Sequence, residues 1–308
     1  MGRYTLRRLL QLVPVLLGTT FLIYWLVWSL PGDPFAGKCG ERDCPASYVD
    51  MMRDRYNMDD PLPIQYVKFI GNMLQGDFGI DFHGRAVLDT MAQAWPITLK
   101  LALLAVLFEA AIGITAGVLT GLRRGGFLDN VVLISTLFLI SIPIFVTGFV
   151  IQFALGIKLG VINPTVSSEA PWGELVVPAL VLASGQLAYM ARLARTSIVE
   201  NIRADYVRTA VAKGLTRQRV VGIHLLRNSM IPVVTLLGLD LGGLMGGAII
   251  TEGIFNIQGV GGTLFRAITQ QDSTIVVPMV TVLVLVYLLM NLLVDLLYGV
   301  LDPRIRYE

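Results

Sequence analysis

LLQLVPVLLGTTFLIYWLVWSL, from Leu9 to Leu30, carries no charged residue, and an uncharged apolar run of roughly 18 or more residues reads as a membrane-spanning helix. Arg3, Arg7 and Arg8 precede it, as basic residues precede the core of a signal peptide. The run is longer than such a core, and no small-residue cleavage site follows it, so it reads as a retained first span. The whole chain fits this solvent. Of its 308 residues 55% are hydrophobic and 15% charged, against about 25% charged in a soluble domain, and the mean hydropathy is +0.69.

Five further spans are expected at Ile97 to Leu122, Val131 to Phe153, Leu175 to Met190, Met230 to Ile250 and Ile275 to Tyr298. With the N-terminus in the cytoplasm, the inner segments hold 15 Lys and Arg, and the outer ones hold 8 beside 14 of the 22 acidic residues. The positive-inside rule therefore predicts both termini in the cytoplasm. The expectation is an all-α polytopic membrane protein with six transmembrane helices. Residues 1–30 form the tail and first helix, 31–95 a small extracytoplasmic module, and 96–308 a core of five helices with a cytoplasmic loop at 192–229. In the module, Tyr48, Met51, Met52 and Tyr56 have helical spacing, and turns are expected at Asp59-Asp60-Pro61 and Gly76 to Gly79. Cys39 and Cys44 would face an oxidising compartment, as a local disulfide or as free thiols.

Several functions are excluded. A net charge of +2 does not suggest a nucleic-acid partner. Two cysteines and two histidines, His83 and His224, make no metal-ligand pattern. Gly32 to Cys39 matches G-x-x-x-x-G-K, but Cys39 stands where Ser or Thr would meet Mg2+, Pro34 interrupts the N–H cradle, and no strand precedes it. The match is accidental, and nucleotide hydrolysis by this chain alone is not expected.

Arg192 to Ser229 carries eight Lys and Arg against Glu200 and Asp205, too many charges to enter lipid. Asp205 reads as an N-cap, Tyr206 to Lys213 as two helical turns, Gly214 as a left-handed stop, and Thr216 as the cap of a second helix running through His224. Tyr206, Ala210 and Lys213 would share a face. Two uses stand open: a knob docked in a groove of another protein, or a basic amphipathic segment on anionic lipid.

DYVRTAVAKGLT, Asp205 to Thr216, followed by HLLRNSMIP, His224 to Pro232, resembles the cytoplasmic loop of inner-membrane permease subunits of ATP-binding-cassette importers, in the dipeptide/oligopeptide branch. Arg208, Thr209 and Ala210 occupy the positions of that family's Glu-Ala-Ala, and Gly214 those of its Gly. Arg208, and Arg227 at the later Pro position, depart from the general pattern as the peptide branch does. The resemblance extends through Pro31 to Pro34, Gln65-Tyr66, Gly76 to Gly79, Ser141 to Phe145, Gly247 to Phe255, Gly259 to Gly261 and Asp302 to Arg304. It implies a bacterial inner-membrane permease, not itself an enzyme, that pairs with a second, similar permease. Two cytoplasmic ATPase subunits holding ATP and Mg2+ would dock on Asp205, Tyr206, Arg208, Thr209, Ala210, Lys213, Gly214 and Leu215. An extracytoplasmic binding protein would deliver a peptide, and this chain would bind no cofactor.

Lys100, Glu109, Asp240 and Asp295 fall in the expected spans, where ionisable groups are costly. Lys100 and Asp295 are near span ends and can snorkel. Glu109 and Asp240 are deeper. Asp240, before the small-residue stretch Gly242 to Gly247, either lines the path and attracts a peptide's ammonium group or serves as a buried partner for a neighbouring subunit. The resemblance adds Ser141, Met245 and Glu252 as pathway candidates. Gly113, Gly117 and Gly121 read as helix packing, Pro143 as a kink, and His224 as solvated or capping. A self-sufficient secondary transporter or channel would need internal repeats or coupling-ion ligands, and a membrane hydrolase a nucleophile with its base. Neither pattern is found.

Overall fold

A computed structural model describes residues 2–29, 34–35 and 44–301. Its helices are α1 (Gly2–Trp28), α2 (Ala46–Arg55), α3 (Leu62–Leu74), α4 (Val87–Leu122), α5 (Phe127–Ser141), α6 (Ile144–Lys158), α7 (Trp172–Asn201), α8 (Asp205–Ala212), α9 (Arg217–Ser229), α10 (Ile231–Ile254), α11 (Val260–Thr269) and α12 (Ser273–Leu301). The helices α1, α4, α7 and α12 are long and apolar enough to cross a membrane by themselves. Two bent pairs, α5 with α6 and α9 with the first part of α10, bring the number to as many as six when each pair counts as one span. Helices satisfy their own backbone polar groups, the condition for entering hydrocarbon.

Three expectations about the spans change. The third is no kinked rod: α5 and α6 meet at 98°. Ile142 is extended (φ −97°, ψ 123°) and Pro143 is the N-cap of α6, as the steric limit on a residue before proline dictates. The fourth span is not short. With 30 residues it reaches about 45 Å at 1.5 Å per residue, so Arg192 to Asn201, expected in the loop, extend the same helix beyond a bilayer core of about 30 Å. Finally, α11, one turn after α10, was not expected at all.

Apolar contact gains little in lipid, so helices approach through small residues. On α4, Gly113, Gly117 and Gly121 face α7. A Cβ at Gly117 would stand 2.5 Å from the Ala191 carbonyl and 2.6 Å from Ala194 Cβ, and one at Gly121 would meet Ile198 at 2.8 Å. The pattern steps in parallel along both helices and leaves no room for a methyl group. Arg195 of α7 then clamps Asp129 of α5 through two bonds of 2.5 and 2.8 Å. At the opposite end, Lys100 lies over the Trp172 ring, 5.9 Å from its centroid, a cation–π arrangement that suits a snorkelling lysine.

The α2–α3 module packs its aromatic side chains on α1 and α12, with Tyr24, Trp28, Phe35, Met52, Tyr66 and Val277 buried together. Tyr66 donates to the Leu17 carbonyl at 3.0 Å and pairs with Thr20 at 2.8 Å. Gln65 donates to the Asp60 carbonyl at 2.6 Å. The Gly76 to Gly79 turn is clasped by α2: Arg55 binds Asp77, and the Tyr56 hydroxyl donates to the Ile80 carbonyl at 2.6 Å and accepts its N–H at 3.1 Å. Gly79 has φ +86°, and a Cβ there would strike the Tyr56 hydroxyl at 2.6 Å, so glycine is required twice over. Burial pushes the Tyr56 phenol up to about 12. Cys44 is disulfide-bonded; Cys39 lies outside the described residues, as do Pro31 to Asp33, most of the Gly32 to Cys39 stretch, and Asp302 to Arg304.

Candidate coupling site and intramembrane polar groups

The chain leaves α7 at Asn201 and enters α8 at Asp205, after three intervening residues. Ala204, with φ −68° and ψ 150°, is the N-cap, which corrects the assignment of Asp205. Asp205 is the first helical residue, almost fully exposed, where its negative charge suits the positive end of the helix dipole. The buried stripe is set by the apolar pair Val207 and Ala210, three positions apart. Val207 and Ala210 are inside, packed with Ile198 of α7 and with Val220 and Leu225 of α9. Ala210 therefore does not share a docking face with Tyr206 and Lys213. It is the anchor from which they project.

The outward surface holds Asp205, Tyr206, Arg208, Thr209, Val211, Lys213 and Gly214. The Tyr206 hydroxyl donates to Asn201 Oδ1 at 2.7 Å, orienting its ring. Thr209 donates to the Asp205 carbonyl at 2.8 Å. Arg208 and Asp205 stand 3.7 Å apart and largely in solvent, an ion pair of little energetic weight that leaves the guanidinium available. Gly214 adopts φ +73°, and the N–H groups of Gly214 and Leu215 bond to the carbonyls of Val211 and Ala210, the bonding of a Schellman stop. Thr216 opens α9 as expected, by backbone geometry without a side-chain bond. His224 is half-buried inside α9. The result is a two-turn helix held rigidly at one face and offering a tyrosine, an arginine, a lysine and a 61% exposed valine on the other.

The pathway candidates separate. Glu109 and Asp240 come together with Gln186 of α7, whose amide donates to Asp240 Oδ1. Both acids are buried, and Glu109 begins a π-helical turn, Glu109–Ile114, of the kind that marks functional sites within helices. Glu252 is elsewhere, in a closed knot. Its Oε1 accepts the Thr98 hydroxyl at 2.7 Å, its Oε2 accepts the Gly262 N–H at 2.8 Å, and Thr98 Oγ1 accepts the Val260 N–H at 2.8 Å. A Cβ at Gly259 would meet both side chains at 2.4 Å. Glu252 thus ties α10, α4 and the start of α11, a structural task. Ser141 is exposed at the end of α5, bonded to the Leu137 carbonyl at 2.8 Å. The side chains of Met245 and Asp295 lie outside the described residues. Gln152, which sequence reasoning missed, donates to the carbonyls of Pro164 and Ile254, each at 2.7 Å, and secures the end of α10. An amide in an apolar stretch was the available signal. Among the described residues no group of three or more His, Cys, Asp or Glu could hold a metal.

Comparison with known proteins agrees along the whole chain. The family model described as binding-protein-dependent transport system inner membrane component matches residues 113–307, and that for the N-terminal part of such membrane components matches residues 1–102. The chain is 36% identical to the di/tripeptide transport system permease protein DppB of Pseudomonas aeruginosa, covering 98% of both chains. It is 36% identical to the dipeptide transport system permease protein DppB of Escherichia coli K12 and 35% identical to that strain's glutathione transport system permease protein GsiC, covering all of each chain. Among solved structures, a chain of the MetNI methionine ABC transporter in an inward-facing form aligns with TM-score 0.56 at 18% identity, over 69% of this chain and 96% of that one. An amino acid ABC transporter chain aligns with TM-score 0.54 at 16% identity, over 68% and 92%. These two speak for the fold.

Proposed function

The chain belongs to the family of binding-protein-dependent transport system inner membrane components, a multi-pass membrane permease subunit, and from that premise we propose its place in an importer of small peptides. It pairs with a second, similar permease to enclose the translocation path. Two cytoplasmic ATPase subunits bind ATP and Mg2+, and an extracytoplasmic binding protein delivers the substrate. The relatives named for dipeptides, tripeptides and glutathione all point to short peptide-like cargo. Both termini face the cytoplasm by the positive-inside distribution, which puts α8 on the ATPase side and the α2–α3 module outside.

The observation that carries the reading is the geometry of α8. A docking helix needs a fixed base and a free face. Val207 and Ala210 supply the base, and Tyr206, Arg208, Thr209, Val211 and Lys213 the face. The alternative use of the same segment, resting on anionic lipid, would require its exposed apolar and basic groups to point at the membrane. When ATP closes the ATPase pair, the push enters at α8 and passes to Ile198 of α7. The spans tilt, the cavity opens toward the binding protein, and release of ADP and phosphate resets it. Asp240, and with it Glu109, would be reached from that path when the helices part.

The test is affinity capture of the detergent-solubilised chain from its native membrane, wild type against Tyr206→Ala combined with Gly214→Pro. Wild type should recover a second permease and ATPase subunits. The variant should keep the permease and lose the ATPases. Recovery of a lone chain that transports solute in liposomes would overturn the proposal.

A further inference from the structure

Glu109 is fully buried and Asp240 is 4% exposed. Gln186 fills Asp240 Oδ1, while Asp240 Oδ2 and both oxygens of Glu109 have no hydrogen-bond donor. The two carboxyl groups face each other across the contact of α4 with α10. As carboxylates both are acceptors only. Two negative charges without a donor between them, in a site closed to water, repel and are left unsatisfied. Among the described residues the surroundings supply no cation. On α4, Lys100 lies over Trp172. On α7, Arg195 holds Asp129, and Arg192 is six residues beyond Gln186, about 9 Å along the axis. On α12, Tyr287 and Val294 pack against Gly242 and Gly238 of α10.

One positive charge completes the site, and it must be small. With Glu109 wholly buried and Asp240 almost so, a hydrated ion does not reach the pair from the surface in this conformation, whereas a proton needs no space of its own. We propose that Glu109 and Asp240 form an intramembrane proton-binding pair: one proton is held between them while α4 and α10 are in contact, and it leaves when they part. The proton turns one acceptor into the missing donor. When the helices separate and water enters, the carboxylic acid gives its proton to water, leaving a carboxylate and a hydronium ion, with no other bond made or broken. The closed arrangement is therefore favoured in acid and the open one in alkali. Occupancy of the closed state by a proton stands on its own. Its release rests on the importer reading, in which these helices separate.

The test is infrared difference spectroscopy of the assembled complex in nanodiscs, comparing wild type with Glu109→Gln and Asp240→Asn, which replace a carboxyl by an amide of the same shape. At neutral pH wild type should show the carbonyl band of a protonated carboxylic acid, shifted by deuterium exchange on opening. Glu109→Gln should lose that band, because its amide supplies the donor in place of the shared proton. Should Glu109→Gln fail to assemble, loss or displacement of the band in Asp240→Asn decides for the pair. The absence of the band in wild type, or a band unchanged in every variant that assembles, overturns the inference. Partner capture is measured on the same preparations, so failure of the importer reading would show separately as missing ATPases.

Discussion

Val207 and Val211 are one helical turn apart on α8, and opposite outcomes are expected from substituting them. Val207 is 5% exposed and Val211 61%. Truncating Val207 to Ala removes two carbon groups worth about 0.8 kcal/mol each, with a further cavity term against Ile198, Val220 and Leu225, about 2 kcal/mol of stability in all. Val211→Ala touches nothing buried and should change the stability of the chain by less than about 0.5 kcal/mol. If ATPase docking covers the exposed part of Val211, its loss removes about 1 to 2 kcal/mol of binding, roughly a 5- to 30-fold weaker association. Val211→Asp should weaken it further, because a carboxylate would be desolvated in the joint. The assay is titration of purified ATPase onto the permease pair in nanodiscs, with thermal unfolding in parallel. Equal ATPase affinity for wild type and Val211→Asp would refute the assignment of the free face. A larger affinity loss in Val207→Ala than in Val211→Asp would do the same for the division of roles.

The knot around Glu252 should fail as a unit: Thr98→Val orphans the Val260 N–H and takes the donor from Glu252 Oε1, costing about 2 to 4 kcal/mol, while Thr98→Ser, which keeps the hydroxyl, should stay near wild type in denaturant unfolding. Glycine positions should divide by their surroundings. Gly117→Ala strikes Ala191 and Ala194 of α7 and should destabilise by about 1 to 3 kcal/mol, whereas Gly185→Ala, with nothing within 4 Å, should gain about 0.5 to 1 kcal/mol from helix propensity. Equal melting shifts for the two would contradict the close packing of α4 on α7. Asp272, whose carboxyl accepts the Thr274 hydroxyl and N–H, is held above the usual carboxylate range by burial and, to a smaller extent, by Asp81. A raised acid stabilises the fold below its unfolded value and loses that contribution as pH rises through the folded one. Wild type should therefore lose stability relative to Asp272→Asn as pH rises from acid to neutral, and parallel pH profiles would remove Asp272 as the cause.

The spans were legible because lipid demands long apolar runs, and α1 obeys that rule without a charge from Leu9 on, while α4 and α12 obey it with only isolated ionisable residues such as Lys100, Glu109 and Asp295. The glycine triplet on α4 was legible for the same reason, since close approach requires small residues at fixed spacing. What was hidden depends on neighbours. Ile142-Pro143 interrupts an apolar run on both sides, so hydropathy continues through a corner of 98°. The π turn at Glu109 is set where α4 meets Gln186 and Asp240, residues 77 and 131 positions away in the chain. Gly259 to Gly262 reads as a loop, yet its glycines are the close contacts that seat α11 on Ile249 and Glu252. On α8, spacing alone put Ala210 beside Tyr206 and Lys213, but Ala210 also lies beside Val207, and only the neighbours Ile198, Val220 and Leu225 decide that this side is the anchor.

The same contacts decide how a push on α8 would be carried in the proposed cycle. Val207 and Ala210 sit in one apolar cluster with Ile198 of α7 and, at its edge, Val118 and Leu122 of α4. Those two long helices interlock from Gly113 to Gly121 at distances that allow no sliding, so they must respond as one body. Their links to α10 are of another kind. At the α8 end, Ser197 donates to the Ser229 carbonyl at 2.8 Å, next to the 45° bend between α9 and α10. Further along stands the Glu109, Gln186 and Asp240 contact. Packing of glycine against backbone resists separation at every step, whereas a few hydrogen bonds beside a bend can be exchanged for water. In the proposed cycle the α4–α7 unit would be the lever, the bend before Ile231 the hinge, and the buried acid pair the contact to be broken for the path to open.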